Sequence, residues 1–307
     1  MTLPENVSAR LRLPAIAAPM TGVSGIELVA AACEAGVIGS FPVHNARRDT
    51  SLGDWLTTLE RRLQQSEGTP APFAPNLIMH SSNRYRDEEL ATLVAHGVEL
   101  VITSVGSPAR AVEPLHAVGA LVLADVATLA HAEKALEAGA DGLVLLTAGA
   151  GGQTGWLNPF AFVRGVRAFF DGPIVLAGGI SDGVSAFAAE VLGADLVYLG
   201  TRVIATEESL ADDAYRAALV AATADDVVLS SAVGGLPANL LRSWIERNDA
   251  DVAQGDYQQE RLLGWQGVWS AGHAVAGVTE VLPVRDVIAE LIDQYEAARA
   301  ALRNPGA

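Results

Sequence analysis

The sequence predicts an α/β fold, a (β/α)8 TIM barrel followed by a C-terminal helical and irregular extension that covers the barrel mouth. Eight short apolar runs alternate with longer Ala-rich segments. Apolar strands joined by helical crossovers form a parallel sheet buried on both faces. Eight such units in about 200 residues favour a closed barrel over the alternative, an open doubly wound sheet. The predicted strands are Pro14–Pro19, Val37–Phe41, Phe73–Met79, Leu100–Thr103, Leu121–Asp125, Gly142–Leu146, Ile174–Ala177 and Leu196–Leu199.

The segments between the strands have the periodicity of helices. GIELVAAACEAG follows the first strand and EELATLVAHG the third, with apolar residues three and four positions apart. ATLAHAEKALEAG after the fifth strand and GVSAFAAEVLG after the seventh repeat this pattern. All four segments end in glycine, a common helix terminator, so the chain repeats a strand–helix unit.

The barrel pattern ends near Ser209, although the chain continues to residue 307. We expect residues 1–209 to form the barrel and residues 210–307 to form an extension that acts as a lid. Within it, LADDAYRAALVAAT has helical character, whereas residues 225–279 are mixed and irregular. The final stretch, residues 284–303, has helical periodicity and is predicted to pack back on the barrel.

Composition excludes several classes of function. Twenty basic and 36 acidic side chains give a net charge of −16, which disfavours nucleic-acid binding. The lone Cys33 and the absence of H-E-x-x-H and His-x-His motifs predict no disulfide and no metal site. The N-terminal residues lack the order of a signal peptide, and the apolar stretches are shorter than the roughly 18 to 20 residues that cross a bilayer. We therefore expect a cytoplasmic protein that does not bind membranes.

Glycine turns follow the last two predicted strands, where a barrel places its chemistry. Gly178 and Gly179 follow the seventh strand, and Gly200 and Thr201 follow the eighth. Glycine lets backbone N–H groups approach an anion, and a helix N-terminus adds partial positive charge. The paired turns favour a phosphate cradle, whereas a single turn of this kind is equally compatible with a plain tight βα connection.

A third glycine cluster, TAGAGGQTG at Thr147–Gly155, follows the sixth strand. It contains no large side chain that could contribute to the core. Close approach of the backbone to a flat ligand is one explanation for this composition. A plain mobile loop is the alternative.

These motifs together resemble the nitronate monooxygenase family, formerly called 2-nitropropane dioxygenases. The resemblance runs nearly end to end, and related flavin-dependent enoyl-acyl-carrier-protein reductases and NADH:quinone reductases share the same skeleton. It implies the fold and the FMN cofactor more specifically than the reaction. The motifs that carry it are IAAPMTGVS, APNLIM, GAGGQTG, PIVLAGGISDG, GADLVYLGTRVIATEES and WSAGHAVAGV.

The resemblance implies FMN bound at the barrel mouth, with its phosphate between the loops after the seventh and eighth strands. A flat apolar wall with a few fixed polar groups positions a flavin and tunes its electron affinity. The implied FMN-binding residues are Ala18, Pro19 and Met20 along the ring, Asn76 and Asp125 as polar contacts, Gly151 and Gly152 beside the ring, and Gly178, Gly179, Gly200 and Thr201 at the phosphate.

The chain departs from the family pattern at two positions. Many members carry a histidine in the loop motif AGGH, where this sequence has Gln153. Glutamine does not exchange protons near neutral pH, but its amide donates hydrogen bonds. Some members carry a lysine at the end of the fifth strand, where this sequence has Asp125. A carboxylate there disfavours an anionic reduced flavin unless it is protonated or paired.

Histidines are the remaining candidates for acid–base chemistry. His44 after the second strand joins Gln153 as a predicted catalytic residue, and His80 and His273 are further candidates. Each is equally interpreted as a solvated or structurally bonded histidine. A Schiff-base mechanism is disfavoured because the single lysine, Lys134, lies in a predicted helix.

The sequence thus predicts an FMN-dependent oxidoreductase that oxidises alkyl nitronates with O2 to a carbonyl compound and nitrite. The first alternative is an NAD(P)H-dependent FMN reductase of an activated C=C, such as an enoyl thioester, or of a quinone. No resident dinucleotide fingerprint is present, so NAD(P)H would be a co-substrate. The second alternative is a non-catalytic flavin- or phosphate-binding barrel. We expect a small-molecule substrate, with a homodimer as the candidate assembly.

Overall fold

The computed structural model describes residues 3–48, 50–231, 233, 236–248 and 267–303. Parts of the predicted extension, residues 249–266 and 304–307, lie outside the described residues. Eight parallel strands close into a barrel, which confirms the predicted fold class. In barrel order they are β1 (Ala15–Ala17), β2 (Ile38–Pro42), β3 (Phe73–Ile78), β4 (Leu100–Ser104), β5 (Leu121–Val126), β6 (Gly142–Leu146), β8 (Ile174–Ala177) and β9 (Leu196–Leu199).

The helices pack on the outside of these strands. Helix ends follow the sequence signals, as in α2 (Ile26–Ala35), where Gly36 adopts a φ of +90° and terminates the helix. At the end of the barrel opposite the mouth, Val7 of the first helix packs with apolar side chains of the barrel interior. The helices up to the last barrel strand are α1 (Glu5–Ser8), α2 (Ile26–Ala35), α3 (Leu52–Gln65), α4 (Arg86–Ala95), α5 (Ala109–His116), α6 (Leu129–Glu137), α7 (Pro159–Arg167) and α8 (Gly183–Leu192).

A small antiparallel sheet, which the sequence did not predict, lies at the barrel mouth. It pairs β10 (Val227–Ser230) with β11 (Ala238–Leu241), and β11 with the two-residue strand β7 (Gly152–Gln153). Strand β7 belongs to the loop after β6, so the extension is bonded directly to a barrel loop. The predicted placement of the extension over the mouth is confirmed for these residues.

In the described residues, the helices after the last barrel strand begin with a short one inside the predicted barrel residues 1–209 and continue into the extension. They are α9 (Thr201–Ile204), α10 (Asp213–Ala221), α11 (Arg242–Arg247) and α12 (Val284–Arg303), and short 3-10 helices occupy Val43–Arg48, Ala224–Asp226 and His273–Gly277. In the described part of the chain, no helix combines the length and apolar character needed to span a membrane. The division into residues 1–209 and 210–307 stays a prediction.

Helix α12 completes the outer ring of helices, as its periodicity predicted. Helix α9, which follows the last barrel strand, has only four residues, and α12 packs against α8 and α2 instead. Its buried residues, spaced three and four positions apart, are Val284, Val287, Ile288, Leu291 and Tyr295. Across the contact, the Tyr295 hydroxyl donates to Glu190 of α8.

The closest approach of α8 to α12 depends on a glycine. The Gly183 N–H donates to Gln294 Oε1 at 2.9 Å. A Cβ at Gly183 would lie 2.2 Å from the Leu291 carbonyl oxygen and 2.3 Å from the Tyr295 nitrogen. Both are backbone atoms, so the helices would have to separate to admit a methyl group.

We predict that Gly183→Ala lowers the free energy of unfolding by roughly 1–3 kcal/mol, the usual cost of overpacking. Urea denaturation of both proteins measures the difference. Gly53→Ala is the matched control, because it lies in α3 with its nearest foreign atom, His96 Nε2, 3.6 Å from the new Cβ. That control is expected to leave stability unchanged or to raise it by up to about 1 kcal/mol. Equal stability of Gly183→Ala and wild type would contradict the helix contact described here.

Candidate active site

A cavity of about 1220 Å³, its open mouth included, lies at the C-terminal ends of the barrel strands. Ligand sites of barrel enzymes lie at this end of the strands. The structure brings every predicted site residue to its lining, although the role of each stays a prediction. They are Ala18, Pro19, Met20, His44, Asn76, Asp125, Gly151, Gly152, Gln153, Gly178, Gly179, Gly200 and Thr201.

The cavity floor is set by the alternation of side chains along the barrel strands. Leu123 of β5 and Leu196 of β9 are buried in the barrel interior. Side chains two positions further along a strand face the same side, so Asp125 and Tyr198 point from the barrel interior into the cavity.

Asn76 is held in the floor by its neighbours. Its Nδ2 donates to the Ile102 carbonyl at 3.4 Å, and its Oδ1 accepts from Ser104 Oγ at 3.1 Å. An amide nitrogen carries two N–H donors, so one remains for a ligand. The side chain is therefore oriented before any ligand binds.

Asp125 and Tyr198 are the ionisable groups of the floor. Burial raises the pKa of the Asp125 carboxyl from 3.8 to about 7. Burial, together with the nearby charge of Asp125, raises the pKa of the Tyr198 hydroxyl well above 10. Asp125 therefore carries a proton in a substantial fraction of molecules at neutral pH.

The loop after β1 forms an apolar wall that polar side chains fix from behind. Asn45 Nδ2 donates to the Met20 carbonyl, and the Met20 N–H donates to Ser24 Oγ, both at 3.0 Å. Asn45 and Ser24 are buried. Ala18, Pro19 and Met20 therefore line the cavity on a braced loop.

The two glycines after β8 have different roles. Gly178 has a φ of +124°, and a Cβ there would lie 2.5 Å from Thr147 Oγ1. Gly178 is thus required by packing. Gly179 has a φ of +75°, but no heavy atom lies within 4 Å of its Cβ position. The space beside Gly179 is open to the cavity.

The turn after β9 also leaves space for a ligand. The nearest atom to a Cβ at Gly200 would be Ala18 Cβ, at 3.9 Å. Crowding therefore does not require glycine there. Within the described residues, the N–H groups of Gly179, Gly200 and Thr201 donate to no protein acceptor. Together they provide backbone donors suited to an anion.

The glycine loop after β6 is packed against the C-terminal extension. A Cβ at Gly149 would lie 2.6 Å from His273 Nδ1, and a Cβ at Gly151 would lie 2.8 Å from the Gly272 nitrogen. The His273 N–H donates to the Gly149 carbonyl at 2.9 Å. Close contact with the extension thus accounts for the absence of a side chain at these two positions, and the predicted FMN contact of Gly151 stays a prediction.

The extension is tied to this loop and to the β9 turn by buried polar groups. Asn239 Nδ2 of β11 donates to the Ala150 carbonyl at 2.7 Å. Thr201 Oγ1 accepts from the Gly272 N–H at 2.9 Å, so the threonine hydroxyl is already engaged. No sequence signal identifies Asn239, because its partner lies 89 positions away.

Aromatic side chains support the extension over the cavity. Tyr215 of α10 stacks on Trp269 with ring centroids 5.6 Å apart, and the Arg247 guanidinium lies 3.9 Å from the Trp269 ring centroid. The Tyr215 hydroxyl donates to the Ser270 carbonyl. Tyr215 and Ser270 both line the cavity, so the extension forms part of its wall.

Gln153 and His44, the predicted catalytic residues, both line the cavity. Gln153 is half-buried in β7, which the pairing with Ala238 of β11 holds in place. In the part of the chain that the structure describes, its side-chain amide has no hydrogen-bond partner. His44 is buried, and its Nε2 lies 3.0 Å from Thr21 Oγ1.

The other candidate histidines lie outside the cavity lining. His80 Nδ1 lies 2.7 Å from Ser82 Oγ, in the loop after β3. His273 is exposed and packs against Gly149 on the outer side of the loop. The structure does not bring either ring to the site.

The residue that follows β4 has a strained backbone conformation. Val105 has a φ of +50°, the only positive φ of a non-glycine residue in the described chain. This conformation is uncommon for a β-branched residue, and such strain clusters at functional sites. Val105 lines the cavity, and no sequence signal identifies it.

Known proteins include relatives of this chain. A curated nitronate monooxygenase from Paraburkholderia phytofirmans is 27% identical, with 94% of each chain covered. A (3aS,4S,5R,7aS)-5-hydroxy-7a-methyl-1-oxo-octahydro-1H-indene-4-carboxyl-CoA dehydrogenase from Rhodococcus jostii is 28% identical over 75% of this chain. The alignment spans only 63% of that relative's length.

A solved structure of FabK from Thermotoga maritima superposes with a TM-score of 0.81 at 26% identity, covering 100% of this chain and 99% of FabK. The nitronate monooxygenase family model matches residues 53–294. Such a match spans most of the chain and includes the loops after β3, β6, β8 and β9. The chain therefore belongs to the nitronate monooxygenase family of flavoenzymes and is an oxidoreductase.

Proposed function

We propose that this protein is an FMN-dependent oxidoreductase that oxidises alkyl nitronates with O2 to a carbonyl compound and nitrite. The observation that carries the proposal is Gln153 of the mouth loop, which lines the cavity where many members of the family carry a histidine. Its amide has no hydrogen-bond partner among the described residues. A nitronate is already an anion, so its oxidation requires no base to remove a carbon-bound proton.

The residues of the cavity fit FMN. The open Cβ positions at Gly179 and Gly200 and the free backbone donors beside them suit a phosphate. The wall formed by Ala18, Pro19 and Met20 suits a flat ring, and Asn76 offers it an amide donor. Phosphate and ring would therefore be held by different edges of one cavity.

The protein's own groups would orient the substrate. FMN, when bound, supplies the electron acceptor and the reaction with O2. The Gln153 amide can donate a hydrogen bond to a nitro or carbonyl oxygen. Tyr215, Ser270 and Ala274 of the extension line the cavity and would limit the water around that oxygen. Limited water strengthens such a hydrogen bond.

A second candidate is the reduction of an activated C=C, such as that of an enoyl thioester, by NAD(P)H. Two observations favour it. In the described chain no Lys or Arg lines the cavity, which suits a neutral carbonyl substrate. The Rhodococcus jostii relative is named for a carboxyl-CoA substrate. Gln153 would then polarise the thioester carbonyl.

We predict that the purified protein binds FMN and that an alkyl nitronate bleaches the flavin band at about 450 nm under anaerobic conditions. NADH and NADPH are expected to bleach it far more slowly. Stopped-flow absorbance with each reductant measures the rates. Fast bleaching by NADH or NADPH, with none by the nitronate, would contradict nitronate oxidation and favour NAD(P)H-dependent reduction of an activated C=C.

We predict that Gln153→His raises turnover of neutral nitroalkanes by at least ~10-fold, because a general base contributes about 10²–10⁴-fold. Turnover of preformed nitronates is expected to change little. The gained activity should increase as the pH rises through about 6.5, where an ordinary imidazole loses its proton. Gln153→Asn is the matched control, since it keeps an amide and adds no base. Equal gains in both variants would contradict this role for the side chain.

We predict that Gly200→Ala weakens FMN binding about 10- to 100-fold, because the new methyl group enters the open space and impairs charge-assisted hydrogen bonds. Fluorescence titration of the apoprotein with FMN measures the dissociation constant. Gly53→Ala, in α3, serves as the control and is expected to bind FMN like wild type. An unchanged dissociation constant for FMN in Gly200→Ala would contradict binding of the phosphate at this turn.

A further inference from the structure

Two polar atoms in the cavity floor have no hydrogen-bond partner among the described residues. They are Asp125 Oδ1 and the Tyr198 hydroxyl, and both are buried from solvent. Buried polar atoms are almost always hydrogen-bonded, so two exceptions in one site need an explanation. Both side chains line the same cavity and interact electrostatically. A bound ligand is the simplest partner that both could share.

Among the described residues that line the cavity, no lysine or arginine accompanies Asp125. On β6 its neighbour in register is Val144, and on β4 the Thr103 hydroxyl already donates to the Leu123 carbonyl. The other ionisable side chains of the lining are Tyr198, His44 and Tyr215. The His44 Nε2 lies 3.0 Å from Thr21 Oγ1, and the Tyr215 hydroxyl donates to the Ser270 carbonyl.

A carboxylate in such surroundings favours its neutral form. Burial without a cation disfavours the negative charge, and it raises the pKa of Asp125 to about 7. A further negative charge placed beside Asp125 would favour protonation still more. Two-electron reduction of a flavin places such a charge on the ring when only one proton is taken up.

We propose that Asp125 is a proton-holding residue, which takes up one proton from solvent when the flavin bound in this cavity is reduced. The inference rests on the proposed cofactor. Two electrons from the reductant and one proton form the N5–H bond and leave one negative charge on the flavin. A second proton forms an O–H bond on the ionised Asp125 carboxylate, so the net charge of the pair stays constant. Below the pH at which Asp125 ionises, only the first proton is taken up.

The test is the pH dependence of the midpoint potential of the FMN-loaded protein between pH 5.5 and about 9. For two electrons, each proton contributes ~29.6 mV per pH unit. We expect the midpoint potential of the wild type to change by ~29.6 mV per pH unit at low pH, where one proton is taken up, and by twice that at high pH, where two are taken up. Asp125→Asn is expected to lack the second contribution at high pH. Equal slopes at high pH in wild type and Asp125→Asn would overturn the proposal.

Tyr198→Phe is the matched control, because it removes the other unpartnered floor group and keeps the carboxyl. We expect it to retain the doubled slope at high pH. Loss of the doubled slope in Tyr198→Phe but not in Asp125→Asn would overturn the proposal by assigning the proton to the tyrosine.

A second measurement uses the wild type alone, so it tests the proposal even if Asp125→Asn does not fold or does not bind FMN. An indicator dye in weak buffer counts protons taken up during anaerobic reduction by a titrated reductant. We expect two protons per flavin at high pH, and one proton there would overturn the proposal. A colourless wild type that takes up no FMN would overturn the proposed cofactor, an outcome distinct from a flavin-loaded protein with equal slopes.

Discussion

The site depends on closure of the barrel by the pairing of its first and last strands. β1 pairs with β2 on one side and with β9 on the other, in parallel register. Closure brings the C-terminal ends of all eight strands to one mouth, and it fixes which side chains face inward. Ala18 beyond β1 thereby comes within contact distance of Gly200 beyond β9, although 182 positions separate them in the chain. The apolar wall and the open turn meet only because the sheet closes.

Loops at the mouth are fixed by a second constraint, the close contact of backbone with backbone. Gly149 and Gly151 approach residues 271–273 so closely that a Cβ on either would overlap the extension. Gly272 is equally restricted, since its Cβ would lie 2.5 Å from the Gly149 carbonyl oxygen. Because these three residues are glycines, the extension can lie directly on the loop after β6. This contact also positions Gln153, because β7 follows immediately and pairs with β11.

The barrel could be predicted from the sequence because its signals are local. Each strand is a continuous apolar run, and α12 shows its buried face in the spacing of Val284, Val287, Ile288 and Leu291. The sheet over the mouth gave no such signal, because β7 has two residues and pairs with residues more than 80 positions away. The sequence also could not show that a side chain at Gly178 would be crowded and one at Gly179 would not, because the two glycines are adjacent in one motif. Tyr198 was missed because an aromatic residue in an apolar run is typical of strand core.

Charge in the cavity determines how an anionic ligand can lie. Among the described lining residues there is no lysine or arginine, so backbone N–H groups at Gly179, Gly200 and Thr201 are the donors best placed for an anion. These turns follow β8 and β9, whereas Asp125 projects from β5, separated from β8 by β6 in the barrel. An anionic group near Asp125 would meet a carboxyl without a compensating cation, which opposes double ionisation. A flat ligand with an anionic tail is thus favoured in one orientation, with its tail at the glycine turns and its ring over the floor. Protonation of Asp125 would reduce the repulsion between this floor and a ring that gains negative charge.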